Sequence, residues 1–241
     1  MNLSRREFIE LAAASATPAT ANALTVDRPP NIVFLLADDH RWDALGCMGN
    51  KIIHTPELDR LASEGVIFDN HFTTTAICCV SRASILLGQY AGTHGINDFK
   101  TDLTPLQLSQ SYPVRLRQAG YHTGFIGKFG VGDKLPSSAF DYWKGFPAQG
   151  FYFPKGKSGP HLTNIIRDQA HDFLETSPRD KPFCLSISFK APHVQDEDPA
   201  QYLPSPETLP LYADVEIPPV ARAGTEDIKR FPAALQHSES R

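Results

Sequence analysis

An α/β fold built on a mainly parallel sheet is the class this sequence predicts, on three observations. Two apolar runs, residues 31–37 (NIVFLLA) and 183–189 (FCLSISF), have the length and branched-residue content of strands buried on both faces. Segments of helical period alternate with strand-like segments along the chain. The polar residues able to do chemistry, Asp38, Asp39, Cys78, Lys128 and His193, fall just after strands, where open α/β sheets form their ligand crevice.

The N-terminus comes first. Ser4-Arg5-Arg6-Glu7-Phe8-Ile9 sets paired arginines before an apolar pair, the pattern of a twin-arginine export signal. An alanine-rich stretch from Leu11 leads to Ala21-Asn22-Ala23, a small-x-small cleavage site, so residues 1–23 read as a signal peptide. The same residues also suit a short amphipathic helix. They are too short and too polar to span a bilayer, and the expectation is an exported chain, periplasmic or extracellular, with no membrane span.

The run 31–37 is a strand between Pro29-Pro30 and Asp38-Asp39. Pro56 to Glu64 has helical spacing, with Thr55 as its cap and proline in the first turn. Val66 to Thr75 predicts a second strand. Ser81 to Leu87 predicts a helix opening just after a double cysteine, and Pro113 to Gln118 ends another at Gly120. His122 to Ile126 is the next strand. Leu162 to Glu175 forms an amphipathic helix with Leu162, Ile165, Ile166, Ala170, Phe173 and Leu174 on one side. Residues 136–160 and 195–241 are Pro/Gly-rich excursions. One main domain over 29–200 and an extended tail over 201–241 are expected.

Composition narrows the function. The 241 residues are 41% hydrophobic and carry a formal charge of -4 with no dense run of either sign, so no nucleic-acid surface is expected. The four cysteines, Cys47, Cys78, Cys79 and Cys184, have neither a disulfide-scaffold spacing nor a CxxC zinc pair. Cys184, inside an apolar run, reads as a small buried hydrophobe. Adjacent carboxylates at Asp38-Asp39 repel unless a cation joins them, and oxygen ligands suit Ca²⁺ or Mg²⁺. Strand-end Asp also caps helices and forms turns. Lys128 alone fits a solvated base, and His193 alone fits a loop histidine bonded to backbone. The aromatics Tyr142, Trp143, Phe146, Phe151, Tyr152 and Phe153 suit either a sugar-stacking wall or local packing.

Cys78-Cys79-Val80-Ser81-Arg82, followed by Ala83-Ser84-Ile85-Leu86-Leu87-Gly88, resembles the sulfatase signature C-x-P-S-R with its helix. Asn31 through Asp39, Leu45-Gly46-Cys47, His54-Thr55-Pro56, Leu58 through Ala62, Gly120 through Lys128, and Pro182 through His193 resemble further blocks in the same order. Over about residues 29–200 the chain therefore resembles the N-terminal portion of a type I sulfatase of the alkaline phosphatase superfamily.

The resemblance implies an alkaline-phosphatase-like fold and a sulfuric ester hydrolase. It implies that a separate modifying enzyme oxidises Cys78, three and four residues before Ser81 and Arg82, to formylglycine. One hydroxyl of the hydrated aldehyde attacks the ester sulfur and the alcohol leaves; the other hydroxyl then expels sulfate and regenerates the aldehyde. The resemblance further implies Ca²⁺ (or Mg²⁺) on Asp38, Asp39 and the diol of modified Cys78. Arg82 would stabilise the diol, Lys128 would hold a sulfate oxygen, and His193 would donate to the sulfate or the leaving oxygen. A sulfated small molecule or carbohydrate is the implied substrate.

The chain departs from the pattern at four places. Val80 replaces the usual proline, Lys128-Phe129-Gly130 lacks a histidine found in many Lys-Trp-His members, and Gln89 stands for a common arginine. The acidic pair and lysine of the family's second half have no counterpart before Arg241, so a truncated form is expected. Two rivals remain: a phosphoester or phosphonate hydrolase of the same superfamily, and a catalytically inactive fragment.

Overall fold

A computed structural model describes residues 29–156, 159–218 and 229–232. The signal-peptide expectation for residues 1–23 lies outside the described residues. The chain divides into two compact units. The first takes residues up to 37 with Thr73–Gly150 and Asn164–Lys190, and the second takes Asp38–Phe72, Phe151–Thr163 and the residues from Ala191 on.

The first unit carries a four-stranded sheet in the order β1-β4-β2-β3, with β1 at Ile32–Asp38, β2 at His122–Lys128, β3 at Tyr142–Phe146 and β4 at Phe183–Pro192. β2 pairs parallel with both neighbours, Ile126 facing Lys144 of β3 and Ile187 of β4. β2 and β4 occupy the middle of the order, and their residues are buried almost without interruption. β1 lies at the edge and corrects the expectation of a strand buried on both faces: Val33 and Leu35 are each 51% exposed, alternating with half-buried neighbours. An edge position with one face packed restores the period-2 pattern that a run of pure apolar residues conceals.

Helices α1 (Pro56–Glu64), α2 (Cys78–Leu87), α3 (Ala91–His94), α4 (Pro105–Gln110), α5 (Tyr112–Gln118) and α6 (Leu162–Thr176) complete the described elements apart from three short 3-10 turns. α1 has the bounds that its helical spacing predicts, yet Thr55 does not cap it by side chain. The Thr55 hydroxyl instead donates to Asp59 and accepts the Gly46 N–H. α2 opens on the double cysteine, three residues earlier than expected. The predicted strand over 66–75 does not form. Val66, Phe68 and Phe72 are more than three-quarters exposed, because a strand without a neighbour leaves its own N–H and C=O groups unpaired. β3 was concealed inside the expected excursion at 136–160. Pairing with β2 and an aromatic cluster hold it.

That cluster is the core of the first unit. Phe125, Phe129 and Phe140 are at most 6% exposed and pack with Trp143, which stacks on Phe125 at 5.0 Å between centroids. On the other side of β2, Gly124 makes room for Phe173 of α6, whose ring carbon lies 2.6 Å from where a Cβ would stand. His122 stacks on the same ring at 5.3 Å.

The second unit is built mainly from loops pinned by side chains. Asn50 Oδ1 accepts the N–H groups of Ile52 and Ile53, while its Nδ2 donates to the Asp43 carbonyl at 2.8 Å. Asp59 accepts the Cys47 N–H at 2.7 Å, and the Tyr212 hydroxyl accepts the His54 N–H at 2.9 Å. Part of the expected tail over 201–241 is described, and it contains a 3-10 turn at Leu209–Tyr212.

Candidate active site

In the first unit, Cys78 is the first residue of α2, preceded by extended Ile77. The first-turn N–H groups of a helix have no intrahelical acceptor and carry partial positive charge. Residue 80 lies within that turn, where a proline costs no helical hydrogen bond, so the family's proline and Val80 are both compatible with the helix. The two cysteines differ. Cys78 is half-buried with a free thiol, whereas Cys79 is fully buried and its thiol is pushed up by burial and then by neighbouring Cys78.

One helical turn further, Arg82 is 5% exposed and its Nη1 donates to the Lys128 carbonyl at 2.8 Å and to Ser188 Oγ. It thus ties α2 to the carboxyl end of β2 and to β4. Lys128 is 1% exposed, and its Nζ donates to Gln149 Oε1. Lys190, near the end of β4, is a further buried cation.

The missing histidine has a steric counterpart. Gly130 takes φ +67°, and a Cβ there would lie 2.8 Å from Arg82 Cδ and 3.1 Å from its Nε. The inward course of Arg82 and a side chain at residue 130 are mutually exclusive in this backbone.

In the second unit, Asp38 is 6% exposed and Asp39 follows with φ 60°, a left-handed residue that turns the chain sharply at the strand end. His193 Nε2 stands 3.6 Å from Asp39 Oδ2. Its Nδ1 lies 2.7 Å from the Val194 carbonyl, which only accepts, so Nδ1 carries the proton and Nε2 faces the carboxylate. Tyr152 fixes the segment: its hydroxyl donates to the His193 carbonyl at 2.7 Å and its N–H donates to Gln195 Oε1 at 2.8 Å. Burial, reinforced by the charges of Asp38, Tyr202 and Asp39, pushes the Tyr152 phenol up to about 12. The ring stacks on His161 at 5.1 Å.

The predicted site residues therefore assemble as two groups. Arg82 and Lys128 touch in the first unit, with Cys78 on the helix of Arg82, and Asp39 and His193 face each other in the second. Among the described residues no group of three or more His, Cys, Asp or Glu gathers for a metal ion. The all-oxygen pair Asp38 and Asp39 fits one side of a hard divalent cation's shell. Ser188 and Gln149 were not foreseen, and Tyr152 was considered only as a stacking or packing aromatic. Ser188 left one trace, a polar residue inside an apolar strand run, and Gln149 left none. Of the six aromatics considered for a stacking wall, Trp143 belongs to the core cluster and Tyr152 is 4% exposed.

A mainly parallel sheet flanked by helices, with Arg82, Lys128 and Lys190 buried in the unit that carries it, defines the class: an α/β protein. The sequence pattern of the sulfatase family matches residues 30–228, and the chain belongs to that family. It is 34% identical to an N-acetylglucosamine-6-O-sulfatase of Bacteroides thetaiotaomicron, over 97% of this chain and 42% of that protein. An arylsulfatase of Clostridium perfringens is 30% identical over 78% of this chain and 47% of its own length. A solved structure described as a complex with its substrate D-glucosamine-2-N,6-O-disulfate superposes with TM-score 0.69 and 35% identity, covering 81% of this chain and 40% of that one. The chain thus spans less than half the length of these relatives. Among the described residues no helix is long and apolar enough to cross a membrane.

Proposed function

We propose that the whole protein hydrolyses sulfate monoesters with formylglycine, made from Cys78 by a modifying enzyme, as its nucleophile. The observation that carries this reading is the residue pattern Cys78-x-x-Ser81-Arg82 opening α2 in a chain of the sulfatase family. The accessible thiol of Cys78 beside the buried Cys79 supports the first cysteine as the modified one. Arg82, one turn along, supplies positive charge to the attacking oxygen. Lys128 Nζ binds a sulfuryl oxygen. His193, with Nδ1–H held by the Val194 carbonyl, acts as the imidazolium: it gives the second proton, on Nε2, to the leaving alcohol oxygen and is left neutral. Asp38 and Asp39 would hold Ca²⁺ or Mg²⁺, which supplies positive charge against the sulfuryl oxygens.

The named activity of the Bacteroides relative and the sugar in the solved complex support a 6-O-sulfated amino sugar as substrate. Residues 1–23 support export by the twin-arginine route. The test compares aryl sulfate, glucosamine 6-O-sulfate and aryl phosphate with protein co-expressed with a modifying enzyme. Sulfate release well above phosphate release, abolished in Cys78→Ala, is the expected result. Phosphate release at an equal rate, or sulfate release insensitive to Cys78→Ala, contradicts the reading.

A further inference from the structure

Lys128 is a long, flexible side chain, and burial alone does not aim its ammonium group. An amide oxygen meets it: Gln149 Oε1 accepts from Nζ. Gln149 stands in the turn after β3, between two residues of positive φ, Ala148 at 53° and Gly150 at 66°. A left-handed alanine is uncommon and costs free energy that surrounding structure must hold in place. At Gly150 a Cβ would lie 2.5 Å from the Phe146 ring, so the glycine lets the turn close back over the end of β3. β3 pairs with β2 up to Lys128↔Phe146, and the Phe129 N–H donates to the Phe146 carbonyl at 3.1 Å. The turn is thus anchored beside the strand end that carries Lys128, and its strained backbone delivers one side chain, Gln149, to Nζ.

We infer that Gln149 is a positioning residue that orients the Lys128 ammonium for an anionic sulfuryl group. A neutral acceptor does this without adding negative charge of its own next to the ammonium, which a carboxylate of the same shape would do. The inference rests on the proposed role of Lys128 in binding sulfate oxygen.

The test titrates inorganic sulfate into the protein, co-expressed with a modifying enzyme, by calorimetry for the unsubstituted chain and for Gln149→Met, Gln149→Glu, Lys128→Met and the double variant Gln149→Met/Lys128→Met. Thermal midpoints are measured alongside, and the Lys128 ε-methylene resonances are followed by NMR. Gln149→Met is expected to weaken sulfate binding about fivefold and Gln149→Glu at least tenfold, with midpoints nearly unchanged. In Gln149→Met the two ε-methylene protons of Lys128 are expected to merge as the ammonium loses its fixed direction. The Met substitution at 149 is expected to add less than a twofold loss in the Lys128→Met background. Binding within twofold of the unsubstituted protein in both Gln149 variants overturns the inference, as does an equal loss with and without Lys128. Sulfate binding indifferent to Lys128→Met removes the proposed role of Lys128 itself, and with it this inference, and is read independently of the Gln149 variants.

Discussion

The two units fix their polar residues by different means. In the first, Arg82 and Lys128 are carried by a helix and a strand, and backbone pairing sets their positions before any side chain contributes. In the second, Asp39 and His193 sit on loops: the Tyr152 hydroxyl donates to the His193 carbonyl, and elsewhere in the unit single side chains such as Asn50 and Asp59 pin the backbone. The backbone that carries a cation in the first unit therefore moves only when packing fails. A group in the second fails when one hydrogen bond is cut. Substitutions that separate these two modes give the following expectations, in order of size.

The largest effect is chemical. Cys78→Ala is expected to lower sulfate-ester turnover by on the order of 10³-fold or more, since it removes the nucleophile. Cys79→Ala, one residue along the same helix, leaves turnover within a fewfold and costs about 1 kcal/mol of stability for a buried sulfur. Equal losses of turnover in the two variants would assign the modification wrongly.

Next is packing in the first unit. Gly127 has φ +96°, and a Cβ there would lie 1.9 Å from the Ser188 carbonyl oxygen across the β2–β4 pairing. Gly127→Ala is expected to cost roughly 3 kcal/mol, from left-handed strain and overpacking, and to lower the whole denaturation midpoint. The matching change in the second unit, Asn50→Ala, removes the acceptor of two N–H groups and should cost about 1–2 kcal/mol. Faster amide exchange is expected over 43–53 while β2 and β4 stay protected. Exchange rising throughout both strands in Asn50→Ala would erase the contrast between the units.

Tyr152→Phe is smaller. It removes the donor to the His193 carbonyl, costing about 1 kcal/mol, and should lower turnover severalfold while leaving the exchange of β2 and β4 unchanged. Turnover equal to that of the unsubstituted protein would detach Tyr152 from His193 function.

The smallest effect is a pH dependence at the other end of β2. Burial alone would raise the Asp141 carboxyl, but the Thr123 N–H and the Arg117 guanidinium at 2.9 Å outweigh it and hold the group below the usual range. A depressed folded pKa contributes stability that is present above the ordinary carboxylate value of about 4 and is lost as pH falls through the folded value. Asp141→Asn should therefore cost on the order of 1 kcal/mol near neutrality and flatten the acid limb below about pH 4. Parallel acid limbs in the two proteins would assign the depression elsewhere.

The contrast also decides what the sequence made legible. α1 and α6 were readable because apolar spacing acts locally, as does the proline in the first turn of α1. Asp38 and Lys128 were readable as candidates because strands end where an apolar run meets a charge. β3 was not, since Tyr142–Phe146 holds a lysine and a glycine and becomes a strand through its pairing with β2. The segment 66–75 misled in the opposite sense, having strand composition without a partner strand. The roles of Gln149 and Ser188 were hidden for the same reason: each matters through one contact to a residue at least 21 positions away, and single-sequence spacing carries no such information.

Mass spectrometry of the tryptic peptide 61–82, from protein co-expressed with a modifying enzyme, tests the sulfatase reading most directly. The aldehyde of formylglycine, trapped by a hydrazide, is predicted at residue 78, with Cys79 still a thiol. An intact Cys78 thiol in protein that nevertheless releases sulfate from its ester would contradict it.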